Sequence, residues 1–197
     1  MTATSQRPVE FMRADAARNV HRIVEVAARL LGEDPHAGMT EVAAAAGVSR
    51  ATVYRHFATR EALIAAIQQQ AVEQAERALD SCRLDEDRAA DALRRLVRAW
   101  LDLADRYSLP QLANQPGLDT SHAARERRRA VFTQPLVALI ERGQATGEFS
   151  RDLPPEWSAR SFGSLVLAGA RATADGELER ADAADTVFRT LVRGLGG

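Results

Sequence analysis

The chain has 197 residues, 46% apolar and 27% charged, with a formal net charge of −1, so it can build a sizeable core and is too balanced for a disordered polymer. It contains no unbroken apolar run long enough to span a membrane. One cysteine, Cys82, excludes an internal disulfide and has no neighbour at metal-ligand spacing, which leaves it as a small packing residue. All 26 basic residues are arginine, and they are spread unevenly. Residues 1–60 hold eight arginines against six acidic residues, and residues 61–197 hold eighteen against twenty-one. A head of net +2 on a body of net −3 is not a protein that coats DNA indiscriminately, so any DNA binding must rest on a few placed contacts.

Residues 1–12 lack the apolar stretch of a secretory signal and read as a flexible arm on a cytoplasmic protein. From there, apolar residues recur every three or four positions, as in Val20, Ile23, Val24, Ala27, Leu30 and Leu31, and strand-like alternation is missing. The spacing predicts helices over 14–31, 39–46, 50–56, 60–81, 86–107, 120–146, 155–174 and 182–194. A further short helix is expected at Pro110 to Asn114, before the break at Gln115-Pro116-Gly117. Pro135 falls inside a periodic stretch and is expected to kink it. The fold class is therefore all-α.

Between residues 38 and 57 two very short helices must be joined by a tight turn. Val42, Ala43, Ala46, Val48, Val53 and Phe57 form an apolar seam, with Ala43 small enough for two steeply crossed helices to approach. Gly47 ends the first helix, where a left-handed residue costs it little, and Ser49 offers its hydroxyl as N-cap of the second. The other face of that second helix presents Arg50, Ala51, Thr52, Tyr54, Arg55 and His56, polar and rich in donors. A helix of this kind reads bases with its N-terminal residues while its flanks hold the backbone. Arg50 and Thr52 are placed to meet base edges, and Thr40, Tyr54, His56 and Arg60 to hold phosphates. Two short helices packing a small domain would explain the seam, but not this polar face.

The stretch from Met39 to Ile67, MTEVAAAAGVSRATVYRHFATREALIAAI, resembles the DNA-binding signature of the TetR family of regulators, including its Y-x-H-F end and E-A-L opening. Ile140 to Gln144 followed by Gly147-Glu148-Phe149 is similar to the turn before that family's last two helices. The resemblance implies a three-helix helix-turn-helix head over 13–59 on a larger helical ligand-binding and dimerisation body over 60–197. Two departures are visible. Gly38 stands where the family often has a capping threonine or serine, leaving Glu41 to supply the reciprocal half of a capping box. Arg60 stands where lysine is common, which keeps charge and changes geometry.

In the body, Leu93, Leu96, Val97, Trp100, Ala104 and Tyr107 share one helix face, and Val131, Phe132, Pro135, Leu136 and Leu139 another. Spacing alone shows a core. The family resemblance implies a ligand cavity among such helices, and the residues expected to line or orient a ligand are Leu96, Trp100, Tyr107, Asn114, His122, Phe132 and Gln134. The run Arg125-Glu126-Arg127-Arg128-Arg129 reads as a solvated face with local acidic partners, with an anionic ligand or DNA as the alternative. Trp157, Phe162, Leu165, Val166 and Gly169, then Val187, Phe188, Leu191 and Val192, give the last two helices more apolar surface than one face each requires. The resemblance implies that they pair with a second copy, setting two recognition helices one DNA turn apart, about 34 Å, on a palindromic operator.

No His-Glu-x-x-His, glycine-rich phosphate loop or nucleophile elbow occurs, and His21, His36, His56 and His122 lack ligand spacing. No catalytic residue, metal or cofactor is expected. The expected partners are double-stranded DNA, a second copy and a small-molecule effector, with no membrane. A helical small-molecule-binding or interaction protein without DNA binding is the alternative.

Overall fold

The computed structural model describes residues 7–108 and 121–195, and every regular element among them is helical. The helices are α1 (Arg7–Glu33), α2 (Met39–Ala45), α3 (Arg50–His56), α4 (Arg60–Cys82) and α5 (Ala89–Arg106). After them come α6 (His122–Arg128), a π turn (Arg129–Thr133), α7 (Gln134–Thr146), α8 (Pro155–Ala174) and α9 (Arg180–Leu195). The short helix expected at Pro110 to Asn114 and the break after it lie outside the described residues.

Three elements depart from the sequence reading. First, α1 begins at Arg7, so residues 7–12, expected within the arm, are helical. Second, α5 starts at Ala89 instead of 86, because Arg83 and Asp87 take left-handed φ values of 45° and 58° in the turn before it. Its cap residue, Arg88, has no side-chain acceptor, and a distant carboxylate does that work. Glu148 accepts from the backbone N–H of Ala89 at 3.0 Å and of Ala90 at 3.2 Å, with Arg88 Nε 3.5 Å away. Burial pushes the Glu148 carboxyl up, but these two N–H groups, the Thr146 hydroxyl and Arg88 together outweigh it and hold the group below the usual carboxylate range.

Third, the helix expected over 120–146 is interrupted rather than continuous. Pro135 has no N–H for the carbonyl four residues before it, and its ring crowds that carbonyl. The chain widens into a π turn just upstream, where the Gln134 N–H bonds to the Arg129 carbonyl. The expected kink at Pro135 is therefore taken up as a change of helical register beside Phe132.

One apolar core runs through the described chain. α5 is its axis, contacting α1, α4, α7, α8 and α9, with Leu93, Leu96, Val97 and Trp100 buried along it. The α1–α3 end joins this core through Ile23, Val24, Ala27 and Leu31, which bury with Val42, Ala43, Val53 and Phe57 and with Leu63, Ile64 and Ile67 of α4. Gly169 lets α8 approach α9 closely: a Cβ there would lie 2.6 Å from Val187 Cγ2 of α9.

Candidate nucleic-acid interface and ligand cavity

The turn between α2 and α3 is built by three local bonds. Gly47 has φ +64°, its N–H donates to the Ala44 carbonyl at 3.1 Å, and the next N–H, of Val48, donates to the Ala43 carbonyl at 3.0 Å. These are the two bonds of a Schellman end, which needs a left-handed residue between them. Ser49 Oγ then accepts from the Thr52 N–H at 3.1 Å and starts α3. At the front of α2, glycine has no side chain to donate to the cap, and only the reciprocal half exists: the Gly38 N–H donates to Glu41 Oε2 at 3.1 Å.

The result is a two-sided helix. Val53 and, just beyond the last turn, Phe57 are buried, while Arg50, Ala51, Tyr54 and Arg55 are exposed, Tyr54 to 40%. The Arg50 guanidinium lies over the Tyr54 ring, 5.2 Å from its centroid. The ring thereby narrows the directions open to a flexible side chain. Thr40 is exposed at the start of α2, and His56 is half-buried with its ring tilted against Phe57.

Residues 23–67 match the family model for bacterial regulatory proteins of the tetR family. The chain is 28% identical over 182 residues to the HTH-type transcriptional repressor LfrR of Mycolicibacterium smegmatis, which covers 90% of each protein. The crystal structure of the TetR-like regulator LfrR from Mycobacterium smegmatis in complex with proflavine has a TM-score of 0.76 to it at 25% identity, over 92% of this chain and 98% of that one. The head of the chain matches the tetR family, and the chain as a whole is similar to regulators of that family. A second relative within the regulators is NfxB of Pseudomonas aeruginosa, 25% identical over 173 residues, 88% of this chain and 92% of that one.

Two of the expected DNA-facing residues in this TetR-family head have other partners. Arg60 donates from Nε to the Ala37 carbonyl at 3.2 Å and from its terminal nitrogen to the Pro35 carbonyl at 2.5 Å. It ties the α1–α2 loop to the start of α4, a role set by carbonyls that need donors. The cap of α4 is Thr59, which the sequence reading passed over: its hydroxyl accepts from the Ala62 N–H at 3.1 Å. Thr52 shares a 2.8 Å hydroxyl hydrogen bond with Ser49.

A cavity of about 400 Å³ opens in the body between α4, α5, the π turn and α8. Trp100 and Phe132 line it, as expected, together with Leu103, Thr133, Arg160 and Leu167. Trp100 is held edge-on between two rings, 5.2 Å from Phe132 and 5.0 Å from Phe162. Four expected residues stand elsewhere. Leu96 is buried in the core and does not line this cavity, and His122 and Gln134 are exposed on the outer side of their helices. Tyr107 is fully buried and accepts at Oη from Gln70 Nε2 at 3.2 Å, while Gln70 Oε1 accepts from His21 Nδ1 at 3.0 Å. Asn114 lies outside the described residues. Missed altogether was the wall from α8, where Arg160, Gly163, Ser164 and Leu167 recur at helical spacing. The polar and small members of that stripe give no apolar signal to read.

In the arginine-rich run of α6, Arg127 makes a two-pronged pair with Glu76 of α4, both bonds 3.1 Å. Among the described residues no group of three His, Cys, Asp or Glu is placed to hold a metal ion. No described helix is long and apolar enough to cross a membrane.

Proposed function

We propose that this protein is a homodimeric TetR-family repressor in the cytoplasm that leaves a palindromic operator when a small molecule enters the body. In this reading residues 13–59 are the DNA-binding unit and 60–197 the ligand-binding and dimerisation unit. The observation that carries it is the two-sided α3, with Arg50, Ala51, Tyr54 and Arg55 exposed opposite buried Val53. Base edges are read from this face, chiefly by Arg50 with Thr52 beside it. Thr40, Tyr54, Arg55 and His56 hold phosphates, and Ser49 caps the reading helix.

The 400 Å³ cavity, in the size range of small-molecule sites, supports the effector half of the reading. So does the relative LfrR, a repressor whose crystal structure holds proflavine. Dimerisation is supported by apolar surface left uncovered on α8, where Trp157 is 58% exposed and Leu167 38%. The ligand acts only through its different affinity for the DNA-competent and incompetent states. A helical binding protein without DNA binding would leave the face of α3 unexplained. Fluorescence anisotropy with duplexes flanking the protein's own gene tests the reading: tight binding to one segment, weakening steeply with salt, is expected, and equal weak binding to all of them would overturn it.

A further inference from the structure

The cavity carries a chemical preference that follows from its wall, and the preference rests on the reading of that cavity as an effector site. Its described lining includes one charged side chain, Arg160, and no carboxylate. Arg160 is exposed, and no described acidic residue forms an ion pair with its guanidinium. The remaining wall is aromatic and aliphatic, from Trp100, Phe132, Leu103, Val166 and Leu167, with the hydroxyls of Thr133 and of Ser164, the latter donating to the Arg160 carbonyl at 3.4 Å. Trp100 is only 5% exposed, and its indole Nε1–H is buried without a hydrogen-bond partner.

The wall thus offers a guanidinium without a counter-charge beside aromatic surfaces. We propose that the effector is a flat aromatic molecule bearing a carboxylate or comparable anionic oxygen, and that Arg160 selects it against aromatic cations. A cation would gain from the ring faces, but it would sit in the field of Arg160 with no carboxylate in the described lining to offset that charge. The cavity would then favour ligands opposite in charge to proflavine, the cationic dye bound in the LfrR crystal structure.

Isothermal titration calorimetry of the full-length protein with 2-naphthoate, its cationic counterpart 2-naphthylmethylammonium and proflavine tests this. Naphthoate is expected to bind about tenfold or more tighter than either cation, a difference of about 1.4 kcal/mol. Arg160→Gln, at an exposed position, is expected to remove that preference while leaving the circular dichroism spectrum unchanged. Gly163→Leu locates the site: a Cβ there would meet nothing within 4 Å, so the side chain fills the cavity and binding is lost. Cations binding as tightly as naphthoate, or a preference that survives Arg160→Gln, overturns the proposal and leaves the cavity reading standing. If none of the three binds the folded protein, or Gly163→Leu leaves binding intact, the cavity itself is not the site and both fall.

Discussion

Gln70 donates its side-chain amide to the phenol oxygen of Tyr107 at 3.2 Å, inside the core where α4 meets the end of α5. Gln70 also accepts from His21 of α1, so one side chain links three helices through polar bonds. Tyr107→Phe keeps the ring and deletes the acceptor. The Gln70 amide is then left buried and unpaired on that side, and the expected loss is about 1–2 kcal/mol. Urea unfolding checks it; a variant as stable as the parent would mean that the bond contributes nothing.

Phe149 packs onto the bare backbone of Gly143, where a Cβ would sit 2.2 Å from the ring. Gly143→Ala must therefore displace a buried aromatic ring, although alanine is the better helix former. Overpacking of this sort costs about 1–3 kcal/mol, more than the roughly 1 kcal/mol gained in helix propensity. Thermal unfolding is expected to show a lowered midpoint.

Glu148 caps α5 from across the molecule, and its carboxyl is held below the usual range. A lowered folded-state pKa stabilises above the unfolded value, about 4.3, and that stabilisation is lost as pH falls through the lower folded value. Glu148→Gln is expected to cost about 1 kcal/mol at neutral pH, the scale of a helix cap. The gap between parent and variant should close below pH 4 in a series of urea titrations. A gap independent of pH would show that charge plays no part.

The features legible in the sequence are those whose cause is local. Gly47 and Ser49 announce the α2–α3 turn because a left-handed residue and a hydroxyl cap act within three residues of themselves. Trp100 and Phe132 were expected at a cavity only through the family resemblance, since their spacing alone shows a core. Contacts made across the fold were not legible. Nothing near Ala89 foretells a cap from Glu148, fifty-nine residues away, and nothing near Arg60 foretells the carbonyls of Pro35 and Ala37. The π turn lies between these cases: Pro135 marks a disturbed helix, and only packing decides between a kink and a change of register.

Trp157 is 58% exposed on α8, so replacing it should leave the fold of one chain intact. If α8 pairs with a second copy, Trp157→Glu buries a charge in the interface and weakens the dimer by about 2 kcal/mol or more. Sedimentation velocity is expected to show a dimer for the parent and a concentration-dependent shift toward monomer for the variant. A parent that sediments as a monomer at all concentrations would remove the dimer from the account.

The central claim is that the exposed face of α3 reads DNA sequence through Arg50. Selection of bound duplexes from a random pool, run with the parent and with Arg50→Ala, tests it most directly. The parent is expected to enrich a palindrome with half-sites one turn apart. The variant, folded by circular dichroism, should bind that palindrome about 5- to 150-fold more weakly, for a loss of about 1–3 kcal/mol, and relax the preference at one position of each half-site. A parent that enriches no sequence, or a variant that enriches the same sequence with equal affinity, would contradict the claim.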